Sequence, residues 1–590
     1  MWFTIKQFAS IFSELVINHF LVLWTTVPIA LCIWGMASLR RSHSTRASLP
    51  VQRKAWNRSR AFHGLRTLDW VVAVTFLVFL GLFVYSTMHG ENFANYDESQ
   101  LTNYSIQGKT FRPPIWPDNG RFFPLANQEF NLLKYVTQSP EGYHAFALLQ
   151  LGLMFVPLLI LLQEWQLWGR LLILMSLMVT PSIMISFSGL IYPERNVLFC
   201  LAILLAGIQG LSGSHRRICL GIGLLAAHFA LYYKEPVFLF LSAFAGTQLL
   251  SSWFVERETQ ERSIASFLRK HVMEMGLIAL ACLFLIFYAG TMLPHPSFSY
   301  ASHFPLDRLT VLALYLKVDA LLVLFLSAAV LRFVYLLWTR TAPDRFWDSL
   351  CVGGVAYFLG FMALGIFSGY YMAPVDLVAT LYLSHLVRPC FCRQKQVWAA
   401  VTALVVALAV LQNVAYSSFR MIERKNVISG KGQLADFLID YARSARERPI
   451  DLFFPFAEGF VLGELSSFFE YKGAQVVRQD AGGPTRSTFL LETPRELPDA
   501  RCVPYRPYTC AHADSPHPGC LLVILPDDKS SGNELTVLTH EGKLLFHYQP
   551  VVPIPKWFVP LFLKFHVISP MFVRTAPPSN WLQLYVYGMS

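Results

Sequence analysis

Apolar runs near twenty residues recur along this 590-residue chain, and they limit what it can fold into more than any other feature. A run of that length is long enough to cross a bilayer as a helix. Lipid offers no partners to backbone N–H and C=O groups, so a crossing segment must close its own hydrogen bonds. Only 14% of residues are charged, 54% are hydrophobic, and mean hydropathy is +0.43. That is too little charge to solvate a soluble protein of this length. The sequence therefore predicts an all-α polytopic membrane bundle of about twelve transmembrane helices. The expected spans lie near 14–38, 69–88, 143–163, 170–191, 196–212, 216–232, 236–254, 273–293, 318–338, 348–368, 371–388 and 397–415. The first lacks a basic n-region and a small-residue cleavage site, so it reads as a helix rather than a cleaved signal.

Lysine and arginine bias sets the orientation. The 39–68 loop holds Arg40, Arg41, Arg46, Arg53, Lys54, Arg58, Arg60 and Arg66 and no acidic residue, which places it in the cytoplasm. Alternation then puts "EWQLWGR", "SGSHRR", "ERETQERSIASFLRKH", "TRTAPDR" and "RPCFCRQKQ" on the same side. Nearly all are basic, so the count is self-consistent, and these loops account for most of the net charge of +11. No basic patch sits on a recognisable nucleic-acid fold, so no nucleic-acid partner is expected. The loop 89–142, the turns "YPERN" and "YYKEP", the loop "LPHPSFSYASHFPLDR", "SGYY" and the tail from 416 face outward. The module 1–415 and an extracytoplasmic tail 416–590 form the expected domains, in a membrane that reads as the bacterial inner membrane.

The tail has a different composition. "LADFLIDYARSARERP" reads as an amphipathic helix, "IDLFFPF" as a strand, "AEGFVLGELSSFFEYKG" as a helix and "AQVVRQD" as a second strand. "CLLVILPDD" and "ELTVLTHEGKLLFHYQ" read as further strands with turns at Pro-Asp-Asp and Glu-Gly. Strand, helix, strand points to a small α/β domain. "PIPKWFVPLFLKFHVISPMFV" is apolar but proline-broken, and is expected to pack on the membrane surface or the domain core. Cys502, Cys510 and Cys520 fall where disulfides are permitted. An odd number suggests one bridge and one free thiol, with the pairing open. Cys390 and Cys392 fall inside, and Cys-x-Cys alone is weak evidence of a metal site.

The candidate chemistry is on the outer face. Asp97 and Glu98 open a long loop rich in prolines and aromatics, the kind that is more often functional than an ordinary connector. Adjacent carboxylates serve as metal ligands, as a general base, or as plain solvated charges. "YPERN" contributes Glu194 and Arg195, and "YYKEP" contributes Lys234 and Glu235. Singly, such residues at helix ends snorkel or pair. Together they give an arginine and a lysine suited to clamp a phosphate or diphosphate. His295, His303, Asp307 and Arg308 lie in the next outer loop, although a lone His there is more often structural. Lys317 and Asp319 flank the ninth span and are expected to face inward or pair.

With these motifs in place, the chain resembles the GT-C superfamily of integral-membrane glycosyltransferases that use polyprenyl-phosphate sugars. Protein O-mannosyltransferases and lipid A aminoarabinose transferases are examples. The likeness rests on the acidic motif "YDES" in the first large outer loop and on "GKTFRPPIWPDNGRFFPLANQEFNLLKYV" after it. "SGYYMAP" in a late helix and the outer α/β tail add to it. It covers the whole topology through short motifs. One departure is a helix ahead of the span that precedes the acidic loop.

The resemblance implies an enzyme that moves a sugar from a polyprenyl-phosphate donor to a glycan, lipid or protein acceptor by inverting single displacement. Asp97 would be the base or a divalent-metal ligand, with Glu98 in support. Arg195 and Lys234 would hold the donor phosphate. Glu194, Glu235, Arg121, His303 and Tyr371 would support them. No nucleotide-sugar motif is visible on the cytoplasmic side. The main rival is a transporter or flippase, which predicts ionisable or helix-breaking residues inside the bundle and paired repeats. No repeat is visible in the sequence. A non-catalytic assembly subunit is the second rival, and it makes no demand on Asp97.

Overall fold

A computed structural model of the protein describes residues 2–41, 67–89, 92–93, 98, 101, 110–117, 120–258, 267–268, 270–292, 307–341, 343–392, 396–444, 450–454, 468–472, 475–478, 487–492, 521–524, 542–548 and 585–589. Long helices dominate. They are α1 (Trp2–Arg41), α2 (Thr67–Met88), α3 (Gln128–Leu133), α4 (Pro140–Leu161), α5 (Leu167–Met178), α6 (Pro181–Ser188), α7 (Glu194–Gly210) and α8 (Arg216–Tyr233). Then come α9 (Val237–Glu258), α10 (Val272–Met292), α11 (Arg308–Val318), α12 (Ala320–Thr339), α13 (Trp347–Leu364), α14 (Ala373–Cys392) and α15 (Gln396–Ser444). Among the described residues, eight helices are long and apolar enough to cross a membrane, or up to nine if a bent pair is one span. The chain is an integral, multi-pass membrane protein.

Local chemistry sets several ends. Ser139 caps α4, its Oγ accepting the Gly142 N–H at 3.1 Å, and Pro140 occupies the first turn, where its missing N–H costs nothing. Asp319 caps α12 by accepting the Leu321 and Leu322 N–H groups. Gly365 ends α13 at φ 67°, a conformation that favours glycine. The expected span 170–191 is broken. Pro181 cannot continue α5, and α6 leaves it at 74°. The expected spans 196–212, 216–232 and 371–388 are helices α7, α8 and α14, which do not pass the length and hydropathy test.

Strands β1 (Ile115–Trp116) and β2 (Arg121–Phe122) make a small hairpin between α2 and α3. The tail holds β3 (Ile450–Phe454), β4 (Gln475–Arg478), β5 (Ser487–Glu492), β6 (Leu521–Ile524), β7 (Gly542–His547) and β8 (Tyr585–Met589). Their order is β4-β5-β3-β6-β8-β7, with β3 and β6 parallel and the other pairs antiparallel. The expected strands near 450, 475, 521 and 542 are present, whereas β5 and β8 were not anticipated. The sequence also separates the last span from a tail helix near 434, and the structure joins them as α15, 49 residues long. Cys502, Cys510, Cys520 and the segment 553–573 lie outside the described residues, as do the side chains of Cys390 and Cys392.

Two apolar cores result. The larger fills the bundle. In the smaller, Leu434, Leu438 and Ala442 of α15 meet Phe93, Phe130 and Tyr143 of the outer loop and α4, together with Leu452 and Val523 of the sheet. Helix α15 thus ties bundle, loop and sheet together. Within the bundle, α7 and α8 approach closely because Gly207 faces Gly223, and a Cβ at 207 would sit 3.0 Å from the Cys219 carbonyl oxygen. A backbone atom cannot step aside as a side chain can. Gly207→Ala is expected to cost about 1–3 kcal/mol through overpacking. A thermal midpoint in detergent equal to that of the wild type would contradict this close approach.

Candidate functional site

The antiparallel α7–α8 pair builds the site. Pro193 precedes α7 and sets Glu194 and Arg195 in its first turn. At the far end of α8, Lys234 leaves the helix in extended backbone at φ −158° and ψ 129°. Glu235 follows and is held out of helix by Pro236. The turn before α7 and the turn after α8 therefore meet.

The sequence invites pairing of neighbours, Glu194 with Arg195 and Lys234 with Glu235. Glu194 and Arg195, one apart in a helix, point in different directions, as do Lys234 and Glu235 in their extended turn, and the structure exchanges the partners. Lys234 Nζ lies 2.7 Å from Glu194 Oε1, with both side chains buried. Arg195 donates to Glu129 Oε1 at 2.9 Å. Arg121 Nε donates to Glu235 Oε1 at 2.9 Å, and the Phe122 N–H donates to the same oxygen at 3.0 Å.

The Lys234–Glu194 contact is an ion pair in distance but misses hydrogen-bond geometry, and neither Glu194 oxygen has a hydrogen-bond partner. Aromatic faces enclose it: Nζ lies 4.3 Å from the Tyr371 ring centroid, 6.0 Å from Tyr370 and 5.9 Å from Phe123. Tyr370 in turn stacks on Tyr192 at 4.0 Å. The Tyr357 hydroxyl is likewise buried without a partner, within electrostatic reach of Glu194. Buried polar groups normally find partners, so this concentration of unfilled capacity marks the cluster.

The other expected residues divide. Arg195 is fully buried, its guanidinium 5.0 Å from the Phe130 centroid and also bonded to the Leu190 carbonyl. Glu98 is buried too. It accepts the Leu190 N–H at 2.9 Å and faces Arg424 of α15 at 3.3 Å. These contacts make Glu98 an anchor between the segment after α2, the turn before α7, and α15. Tyr371 lies beside Lys234 in the cluster. Asp97, His295 and His303 lie outside the described residues. Asp319 does not pair with Lys317. Its Oδ1 instead accepts from Asn413 at 2.8 Å. Among the described residues, no group of three or more His, Cys, Asp or Glu side chains is placed to hold a metal.

Sequence reasoning missed Glu129. It takes both Arg195 and Asn196, the latter at 2.7 Å, and Gln150 holds Asn196 at 2.6 Å. The available signal was a glutamate in the first turn of the short helix α3, inside a motif already singled out. Arg195→Ala leaves that carboxylate without its cation, and is expected to cost about 3–5 kcal/mol of stability. Thermal midpoints test this, and Glu129→Gln in the same chain should recover most of the loss. Equal losses in the single and double variants would contradict the pairing.

Burial pushes the Glu235 carboxyl up, but the Arg121 and Lys234 charges and hydrogen bonds outweigh it and hold it below its ordinary 4.5. A depressed acid stabilises the fold fully above its unfolded pKa and ceases to as pH falls through its folded one. Stability of the wild type is therefore expected to fall below pH 4.5 more steeply than that of Glu235→Gln. Parallel acid-unfolding curves for the two proteins would contradict this.

No family model matches the sequence, and no curated protein matches it significantly. Among solved structures, the chain is similar to the crystal structure of ArnT from Cupriavidus metallidurans bound to undecaprenyl phosphate. The identity is 13% and the TM-score 0.38, over 69% of this chain and 85% of that one. A likeness that loose carries no argument about site or substrate.

Proposed function

We propose that this protein is a membrane glycosyltransferase of the GT-C kind, with about twelve crossings, that takes a sugar from a polyprenyl-phosphate donor at the end of the bundle where α7 and α8 meet. One observation carries the reading. The buried Lys234 Nζ lies 4.3 Å from the Tyr371 ring centroid, and Glu194, 2.7 Å away, gives it no aligned hydrogen bond. A phosphate oxygen would give Lys234 the well-aligned acceptor that Glu194 does not. In the step itself, Asp97 removes the proton of the acceptor hydroxyl or amine. That atom bonds to the anomeric carbon as the carbon–oxygen bond to phosphate breaks on the opposite face, which inverts the centre. The bonding electrons leave with the polyprenyl phosphate, where Lys234 stabilises the developing charge. Arg195 and Glu98 act by holding the turn before α7, and Arg121 and Glu235 by holding the β1–β2 hairpin against α8.

The rival reading, transport, has an observation of its own. Asp319 and Asp376 are buried and line a cavity of about 10 Å³ with Ser182, beside the break between α5 and α6. Ionisable side chains inside a bundle mark transport pathways in many proteins. The two readings part in proteoliposomes loaded with a polyprenyl-phosphate sugar. With an extract of the native membrane added as the source of acceptor, transfer of the sugar to an acceptor hydroxyl or amine releases free polyprenyl phosphate. Movement of intact donor to the other leaflet, with none cleaved, would overturn the transferase.

A further inference from the structure

At the other end of the bundle lies a cavity of about 510 Å³. Glu194 and Lys234 sit at one end of α7 and α8, and Gln209 and Arg216 at the opposite end. Those helices have 17 and 18 residues, which sets the ends about 25 Å apart at 1.5 Å per residue. The cavity draws its wall from segments that the sequence places on the basic face: 161–165, 208–216, 270–274, 344–347 and 385–388. The size falls within the roughly 300–1,000 Å³ of small-molecule sites.

Its chemistry is specific. The charged wall consists of Arg216, Lys270, Arg345 and Arg388 against Glu164, Glu274 and Asp344. The carboxylates are largely committed. Asp344 Oδ1 caps α13, accepting the Phe346 and Trp347 N–H groups at 3.0 and 2.9 Å. Glu274, 8% exposed, accepts a hydrogen bond from the Arg345 Nη2, and the rest of that guanidinium, on a side chain 46% exposed, faces the cavity. Glu164 is bonded to Arg388 at an exposed contact, the kind of pair that contributes little and yields readily to a competing anion. Arg345 also meets His271 Nδ1 at 2.9 Å.

Two amides on the same wall have unfilled capacity: Gln248, 3% exposed, has no acceptor for Nε2, and Gln209 has no donor for Oε1. Trp347 stacks on His385 at 4.3 Å to form one side. Leu161, Leu220 and Met273 supply apolar surface behind the cations.

We infer that this cavity binds a phosphomonoester headgroup. Arg345 and Arg388 would take the phosphate oxygens, Lys270 would add charge, and the Gln248 amide would donate to a remaining oxygen. The guanidinium fork suits phosphate better than any neutral ligand. A lipid in the adjoining leaflet and a soluble phosphomonoester share this chemistry. The site is separate from the Lys234 cluster and does not depend on that cluster's function.

The test counts copies of dioctanoyl phosphatidic acid bound to the full-length protein by native mass spectrometry, with dioctanoyl phosphatidylcholine as control. Lys270→Gln with Arg388→Gln changes one exposed and one half-buried side chain and should leave the ligand-free thermal midpoint unchanged. The double variant is expected to bind one copy fewer than the wild type, or to bind that copy at least about tenfold more weakly. Lys234→Met should leave this copy in place, so a failure at the opposite end of the bundle reads out separately. Competition by glycerol 3-phosphate would identify a soluble source, and resistance to it a lipid headgroup. Equal binding of phosphatidylcholine, or unaltered binding in the double variant, would overturn the proposal.

Discussion

Lys234→Met is expected to lower sugar transfer about 10²–10³-fold, the loss seen when one donor to a developing oxyanion is removed. Methionine keeps the length and apolar volume that pack under Tyr371, so the change is chiefly one of charge. Removing a buried cation also strands Glu194, which has no exposed surface. An uncompensated buried carboxylate costs about 3–5 kcal/mol, so the single variant should be less stable as well as less active. Lys234→Met with Glu194→Gln separates the two effects. The pair should recover the thermal midpoint while transfer stays low. Recovery of both would make Lys234 a structural residue only and would move the donor site elsewhere.

Asp97→Asn should lower transfer by about 10²–10⁴-fold, the usual contribution of a general base. The thermal midpoint should hardly change, because asparagine has nearly the same volume. The acidic limb of the pH–rate profile should disappear, since the group whose deprotonation it reports is gone. Its neighbour gives the contrast. Glu98 is buried against Leu190 and Arg424, so Glu98→Gln should act first on stability. It should reach turnover only through the placement of the loop. Wild-type turnover in Asp97→Asn, in an assay that registers the wild type, would remove Asp97 from the mechanism.

The membrane class was legible because backbone hydrogen bonding in lipid leaves few options. Every described apolar helix carries a run visible in the sequence. The break between α5 and α6 was signalled only by Pro181, inside a segment that otherwise reads as one span. The joining of the last span to the tail as α15 was not legible. "RMIERKNVISGKGQ" lies between the last expected span and the tail helix, and its Arg424 and Asn426 find partners in Glu98 and in Tyr548 beside the sheet. The places of strands β5 and β8 come from pairing with β3, β4, β6 and β7, partners mostly distant in sequence.

At the site, residue types were readable but partners were not. Glu194, Arg195, Lys234 and Glu235 stood out as charges at apolar helix ends. Sequence neighbours diverge both on a helix and in extended backbone, so the true partners come from α3, from β2 and from the facing turn. Glu129 is the clearest case, a single glutamate whose role appears only once α3 is laid against α7.

The central claim is that the buried Lys234–Glu194 cluster receives a lipid phosphate. The most direct measurement is a structure of the purified protein in lipid with a polyprenyl monophosphate added. Phosphate density within hydrogen-bond reach of Lys234, with Asp97 facing the same space, is the expected result. A Lys234–Glu194 pair still closed under Tyr371, with the lipid phosphate bound elsewhere or a continuous polar path past Asp319 and Asp376, would contradict it.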